Sequence, residues 1–294
     1  VITPGIHDLD EATYHGDPCP EPSLSSSIGK VLIGRSPRHA WCKHPRLNPQ
    51  PTPTGEPKFD LGSAFHRLML GKGADIAEVP YGDWRTNAAK EARDAARAEG
   101  RIPMLTYQLA ETMAMVETVW PQIRAHRDAN KAFAAGLAER TLVWREDNGI
   151  WCRAMLDWMP ESGTLYPDLK STEGSASPDS WGRRTMFDIG CDFQDAFYRR
   201  GLRKLGICDE PFLLFVVAEL DHPYMIATHR VAPASAAMAD RKVEAAVQLW
   251  GKCLERNRWP GYQAETAWHD VPPWKESEWL EREGMIDRMI EGAA

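Results

Sequence analysis

The chain has 294 residues, 43% of them hydrophobic, which is enough to bury a substantial core in one large domain or two modest ones. Its formal charge of −7 excludes a basic coat-type nucleic-acid binder, but not a local basic lining that meets phosphates. The six cysteines form no C-x-x-C pair, so no zinc or iron–sulfur cluster is expected and the thiols fit a reducing cytosol.

Residues 1–22, rich in Pro, Gly and Asp, read as an arm with no basic, apolar leader. Ser25, Ser26 and Ser27 offer caps for a helix with Ile28, Val31, Leu32 and Ile33 on its apolar side, and Ser36-Pro37 starts a second short helix. Four prolines between Asn48 and Pro57 mark a loop. Asp60 is placed to cap a helix with Leu61, Ala64, Phe65, Leu68 and Met69 at helical spacing, ended by Gly71 and Gly73. His66 falls off that stripe, with Gly62 one turn earlier leaving room beside the imidazole. Helices are expected over about 84–99 and 107–126.

The period then changes. Thr141–Trp144 and Ile150–Arg153 read as strands joined by Asp147-Asn148-Gly149, a hairpin signal. Leu165–Lys170 is a third strand, and a helix follows over about 187–205. Phe212–Ala218 is a continuous apolar run suited to a buried strand, with Met225–Val231 as its neighbour and a long helix over about 233–255. No run approaches the roughly 20 apolar residues that span a bilayer, so a cytoplasmic protein without membrane contact is expected.

Residues i and i+2 of a strand face the same way, so Asp168 and Lys170 share one space while Leu169 points to the core. Asp157, near the end of the preceding strand, joins them if those strands are neighbours. Paired carboxylates suit a hard, oxygen-seeking ion such as Mg²⁺, and a lysine beside them can orient water or stabilise negative charge. A structural ion pair at a strand end is the competing reading of the same residues. Gln194 and Tyr198, four apart on a helix, share a face just downstream.

Leu61-Gly62-Ser63-Ala64-Phe65-His66, Cys152 to Asp157, Asp168-Leu169-Lys170 and Gln194 to Tyr198 occur in the order seen in RecB-like nucleases of the PD-(D/E)XK superfamily. The set is similar to that of RecE-type exonucleases (exonuclease VIII) and their phage relatives, over roughly His66 to Trp259-Pro260. The resemblance implies an α/β fold with a restriction-endonuclease-like core, a mixed central sheet flanked by helices, and a helical N-terminal part. It implies that His66, Asp157 and Asp168, with the Leu169 carbonyl, hold Mg²⁺ (Mn²⁺ as a substitute). Lys170 is then the catalytic lysine beside Asp157 and Asp168, and Gln194 and Tyr198 contact DNA or brace the site. Glu139 starts a strand where an acid sometimes faces the metal in such folds. Met155 departs from the pattern, standing where relatives often carry a second basic residue and leaving Arg153 to act alone.

Basic residues near the site include Arg183-Arg184, Arg199-Arg200 and Arg203-Lys204. Arg199 and Arg203 are placed to grip phosphates, or else lie on a solvated face. Arg35, Arg38, Lys43 and Arg46, interleaved with Trp41, form a second basic patch suited to a DNA end or a 5′ phosphate. Trp84 and Trp181 are candidates for stacking on DNA.

The expectation is one nuclease domain over 1–294. It comprises an arm and short helices over 1–58, a helical part carrying His66 over 59–136, a catalytic core over 137–260, and a tail over 261–294. The activity implied is a Mg²⁺-dependent exodeoxyribonuclease on linear duplex DNA ends, 5′→3′, in phage-type recombination, bacterial or phage-encoded. A ring-like homo-oligomer and a single-strand annealing partner are implied with it. The alternatives are a single-strand or non-processive nuclease of the same fold, and a catalytically silent DNA-binding protein.

Overall fold

A computed structural model describes residues 2–48 and 58–292. The proline-rich loop expected over 48–57 lies, apart from Asn48, outside the described residues. Two compact units are present, residues 1–260 and 261–294. The second, read from the sequence only as a tail, contains the helix Pro273–Gly292. Among the described residues no helix is long and apolar enough to cross a membrane.

The first unit begins with β1 (Gly5–His7), α1 (Glu11–His15), β2 (Leu24–Ser25), α2 (Ser26–Gly34) and α3 (Pro37–Lys43). The expected caps form: Ser25 accepts from the Ile28 N–H, and Ser36 accepts from the His39 N–H with Pro37 in the first turn. The arm is more ordered than its composition suggests, because β1 pairs antiparallel with β5 (Gly136–Arg145), Gly5 opposite Val143.

Next come α4 (Lys58–Leu70), β3 (Ile76–Val79), α5 (Asn87–Ala98), β4 (Ile102–Leu105), α6 (Thr106–Ala125) and α7 (Arg127–Ala132). Asp60 is not the cap expected of it. The helix already runs at Lys58, so Asp60 lies in the first turn, where a negative charge is favoured, and it pairs with Arg97 at 2.7 Å. Gly62 leaves room for another neighbour than expected: a Cβ there would sit 3.0 Å from Ser171 Oγ. The strands β3 and β4, parallel to each other, were not read from the sequence.

The hairpin of β5 and β6 (Trp151–Pro160) turns at Asp147–Gly149, with Gly149 at φ +87°. β7 (Leu165–Thr172) pairs parallel with β8 (Phe212–Glu219), and β9 (Ile226–His229) pairs antiparallel with β8. Between β7 and β8 lie a π-helical segment Pro178–Thr185, the short α8 (Met186–Asp188) and α9 (Cys191–Lys204). The single helix expected over 187–205 is therefore interrupted, at Gly190 in the left-handed region (φ +71°). α10 (Pro233–Arg256) closes the unit.

The strands form two mixed ladders, β1-β5-β6-β2 and β7-β8-β9, beside the small β3-β4 pair. β8 is covered on both faces. Leu213, Phe215 and Val217 enter a core with α2, α9, α10, Trp144 and Trp250, while Leu214, Val216 and Ala218 enter a second core with α4, α6 and α7. This two-sided burial is why its sequence is a continuous apolar run rather than an alternating one. The architecture is mixed α/β, sheets flanked by helices.

Candidate active site

Alternation along β7 sets the geometry. Leu169 enters the second core, while Asp168 and Lys170 take the face of Tyr166, where the Lys170 amine lies 5.9 Å from the Phe215 ring centroid. Asp168 and Lys170 form an ion pair, and the Gln194 side-chain amide donates to Asp168 Oδ2. Tyr198, one turn along α9, reaches Gln194 with its hydroxyl. Gln194 and Tyr198 are both buried, so here they brace Asp168 rather than face solvent.

From β6, Asp157 accepts a 2.7 Å hydrogen bond from the Leu169 backbone N–H and faces His66 Nε2 at 3.2 Å. His66 Nδ1 lies 3.7 Å from Glu139 Oε1. The flanking register, Ala138 opposite Trp158 and Arg140 opposite Leu156, sets Glu139 across from Asp157. Glu139 holds φ +47°, a conformation that costs a non-glycine residue on the order of 1–3 kcal/mol. Strain of this kind gathers at functional sites, and Glu139 turns its carboxylate to the cleft.

The two acids are driven apart electrostatically. Burial opposes ionisation of Asp157, but His66, Lys170 and the Leu169 N–H outweigh it and hold its pKa below the usual value. Burial instead dominates at Asp168, whose pKa is pushed up to about 6 although Lys170 pulls the other way. Two carboxylates in one buried site cannot ionise equally easily. Burial alone would discharge Lys170, yet Asp168 and Asp157 raise its pKa above the ordinary value, so the amine is a cation at neutral pH. Burial likewise opposes the charge on His66, while Asp157 and then Glu139 carry its pKa upward.

His66, Glu139, Leu169 and Lys170 line a cleft of about 760 Å³ together with Glu11, His15, Arg67, Lys72 and Ile189, while Asp157 and Asp168 contact it through His66 and Lys170. The donor set, three carboxylates, one imidazole and the Leu169 carbonyl, suits a hard divalent cation. Asp168 Oδ1 is buried and makes no aligned hydrogen bond, its charge contact with Lys170 aside, which leaves a lone pair for such an ion. As the side chains stand, no three His, Cys, Asp or Glu among the described residues converge on one point. The set fits by its chemistry and its burial.

Other expected contacts lie elsewhere. Arg153 is buried, its guanidinium bonded to the Tyr14 carbonyl (3.0 Å), to Ser23 and to Asp17 (3.2 Å). It fastens the N-terminal arm to β6 and has no face for a phosphate. Arg199 is buried between Asp195 (2.7 Å) and Asp240 (2.9 Å), and with Arg203 it lines a separate pocket beside Phe212 and Arg230. Trp181 is buried against Phe215 and His229, so it is core and not a stacking platform. Trp84 is half-buried before α5. Arg183 and Arg184 pair with Asp179 and Asp188.

In the second basic patch Arg46 is committed to Asp17 and to the Cys19 and Pro20 carbonyls. Arg35, Arg38 and Lys43 remain exposed, with Arg38 stacked 4.5 Å from the Trp41 ring centroid. Sequence reasoning missed Glu11 and His15, which line the cleft from α1. Their positions depend on the pairing of β1 with β5, for which no local signal exists.

The model of a family described as a PDDEXK-like domain of unknown function (DUF3799) matches residues 48–269, which takes in every acid of the site except Glu11. The crystal structure of a "Putative exonuclease" from Eubacterium rectale superposes with a TM-score of 0.59 at 12% identity, covering 90% of this chain and 97% of that one. At that identity the likeness shows the fold. The crystal structure of SSO0001 aligns over 65% of this chain and 85% of that one, at 12% identity, but its TM-score of 0.28 is too low to carry any argument. No curated protein matches.

Proposed function

Because the chain belongs to the PDDEXK-like DUF3799 family, we propose that it is a nuclease, and more specifically a Mg²⁺-dependent exodeoxyribonuclease that hydrolyses linear duplex DNA 5′→3′. The observation that carries the reading is the pairing of Lys170 with Asp168 and of His66 with Asp157 and Glu139, with Lys170, His66 and Glu139 lining one cleft. Asp157, Asp168 and the Leu169 carbonyl, with His66 and Glu139 at their side, are the groups that would hold the ion. When bound, a divalent cation supplies neutralisation of phosphate charge and acidification of water.

The protein's own groups do the rest. Lys170 is held in its charged form by Asp168 and Asp157. Its part is to stabilise the negative charge that grows on the phosphate oxygens. Gln194 holds Asp168 in place, and Tyr198 holds Gln194. Asp157, ionised and tied to the Leu169 N–H, keeps β6 and β7 in register with each other at the site.

The structural relative, described as a "Putative exonuclease", agrees with this reading. So does resemblance to RecE-type enzymes, which carries with it a ring-like homo-oligomer and a single-strand annealing partner. Linear duplexes labelled separately at the 5′ and 3′ ends, alongside single-stranded and closed circular DNA, test the proposal. Mg²⁺-dependent release of the 5′ label first, with circles spared, supports it. Equal attack on circles overturns the exonuclease, and no cleavage of any substrate overturns the nuclease.

A further inference from the structure

We infer that Lys30 is a second phosphate-contacting lysine of this site, holding the phosphate that adjoins the cleaved one. The inference rests on the nuclease reading above and adds a residue to it. Lys30 lies on α2, and its amine donates to the Ile189 carbonyl at 3.2 Å. Ile189 lines the active-site cleft.

The stem of Lys30 occupies the space where Gly190 has no side chain. A Cβ on Gly190 would stand 2.6 Å from Lys30 Cδ and 3.2 Å from Cγ. Gly190 also sits at φ +71°, a conformation that glycine adopts without steric cost. The left-handed residue before α9 thus leaves a groove in which the stem of a lysine from a distant part of the chain lies, its amine against Ile189 of the cleft wall.

Charge pairing singles out Lys30. The basic residues that line the cleft are each neutralised: Arg67 by Asp75 at 3.0 Å, Lys72 by Asp8, Lys170 by Asp168. Among the described residues no carboxylate lies within ion-pair distance of Lys30, nor of Lys43, which faces it from α3. Lys170, Cys191, Asp168 and Lys43 are the charged or titratable groups around Lys30, and burial followed by Lys170 lowers its pKa. Its one hydrogen bond, to a neutral carbonyl, leaves two amine protons over, and no carboxylate among the described residues pairs directly with the charge. An ammonium in that condition is a ready contact for a phosphate. It also links Lys170 to the exposed Lys43, Arg35 and Arg38 on the α2–α3 side.

The test is equilibrium binding of the full chain to a linear duplex in excess chelator over a salt series, with steady-state digestion in Mg²⁺ alongside. Lys30→Met keeps the stem on Gly190 and removes the charge, and Lys30→Gln serves as a second neutral variant. Lys30→Arg restores the charge. The neutral variants are expected to melt near the wild type and to lower the slope of log K against log salt by about 0.9, the loss of one phosphate contact. They raise KM more than they lower kcat, and Lys30→Arg keeps the wild-type slope. Neutral variants with the wild-type slope and KM overturn the inference while leaving the nuclease reading standing. A wild type that neither binds nor digests DNA overturns both.

Discussion

Asp157 Oδ2 accepts a 2.7 Å hydrogen bond from the Leu169 N–H across two strands, β6 and β7, that belong to separate ladders. With the His66 contact at 3.2 Å, it joins three elements that the backbone pairing alone leaves apart. Asp157→Ala leaves the Leu169 N–H without its acceptor and His66 without its main counter-charge. A buried unsatisfied donor costs about 1–3 kcal/mol, so the variant should lose that much unfolding free energy. Asp157→Asn, which keeps an acceptor, should recover most of the stability but not the activity. Chemical denaturation of the three proteins reads this directly.

Gln194 touches Asp168 and not the cleft, so its effect on catalysis is through position. Gln194→Ala is expected to lower divalent-ion affinity or activity by about 10–100-fold, the usual penalty for losing a group that orients a ligand. Gln194→Glu places a second acid against Asp168 and should be worse. Calorimetric titration with Mn²⁺ separates lost affinity from lost turnover.

The raised values at Asp168 and His66 act in one direction with pH. Asp168 holds its proton from the ordinary 3.8 up to about 6, and the stability of that protonated form is lost as pH rises through about 6. His66 holds its charge above the ordinary 6.5, and the stability of its charged pair with Asp157 is lost as pH rises through that raised value. A cation must displace both protons. Metal affinity should therefore climb, with proton release, as pH rises through about 6 and onward above 6.5. A titration in buffers of different ionisation enthalpy that shows no proton release contradicts the charge assignment.

The seating of α2 on α9 depends on Gly29, where a Cβ would stand 2.6 Å from the Phe193 ring. Gly29→Ala should cost about 1–3 kcal/mol by overpacking. Phe193→Leu in the same chain should return part of that loss. Thermal melts of the single and double variants measure the coupling.

Signals carried by a few neighbouring residues made much of this legible in the sequence. The alternation of Asp168, Leu169 and Lys170 and the Asp147–Gly149 turn are such signals, as are the capping serines Ser25 and Ser36. What was not legible depends on partners far along the chain. Arg153 looks like a surface cation until Asp17 and Ser23 fold over it. Arg199 looks like a phosphate grip until Asp240 arrives from α10. Lys30 gives no local sign at all, since the space its stem fills is left by Gly190, far along the chain, and strands of four residues such as β3 and β4 are too short to show a period.

The central claim is that this cleft hydrolyses DNA through Asp168 and Lys170. The direct measurement is release of nucleotides from linear duplex DNA by the wild type, Asp168→Ala and Lys170→Ala, with Mg²⁺ and with excess chelator. The prediction is Mg²⁺-dependent release by the wild type and a loss of at least about 100-fold in both variants, with melting curves that show them folded. Release that persists in chelator, or that the two substitutions leave unchanged, would contradict it.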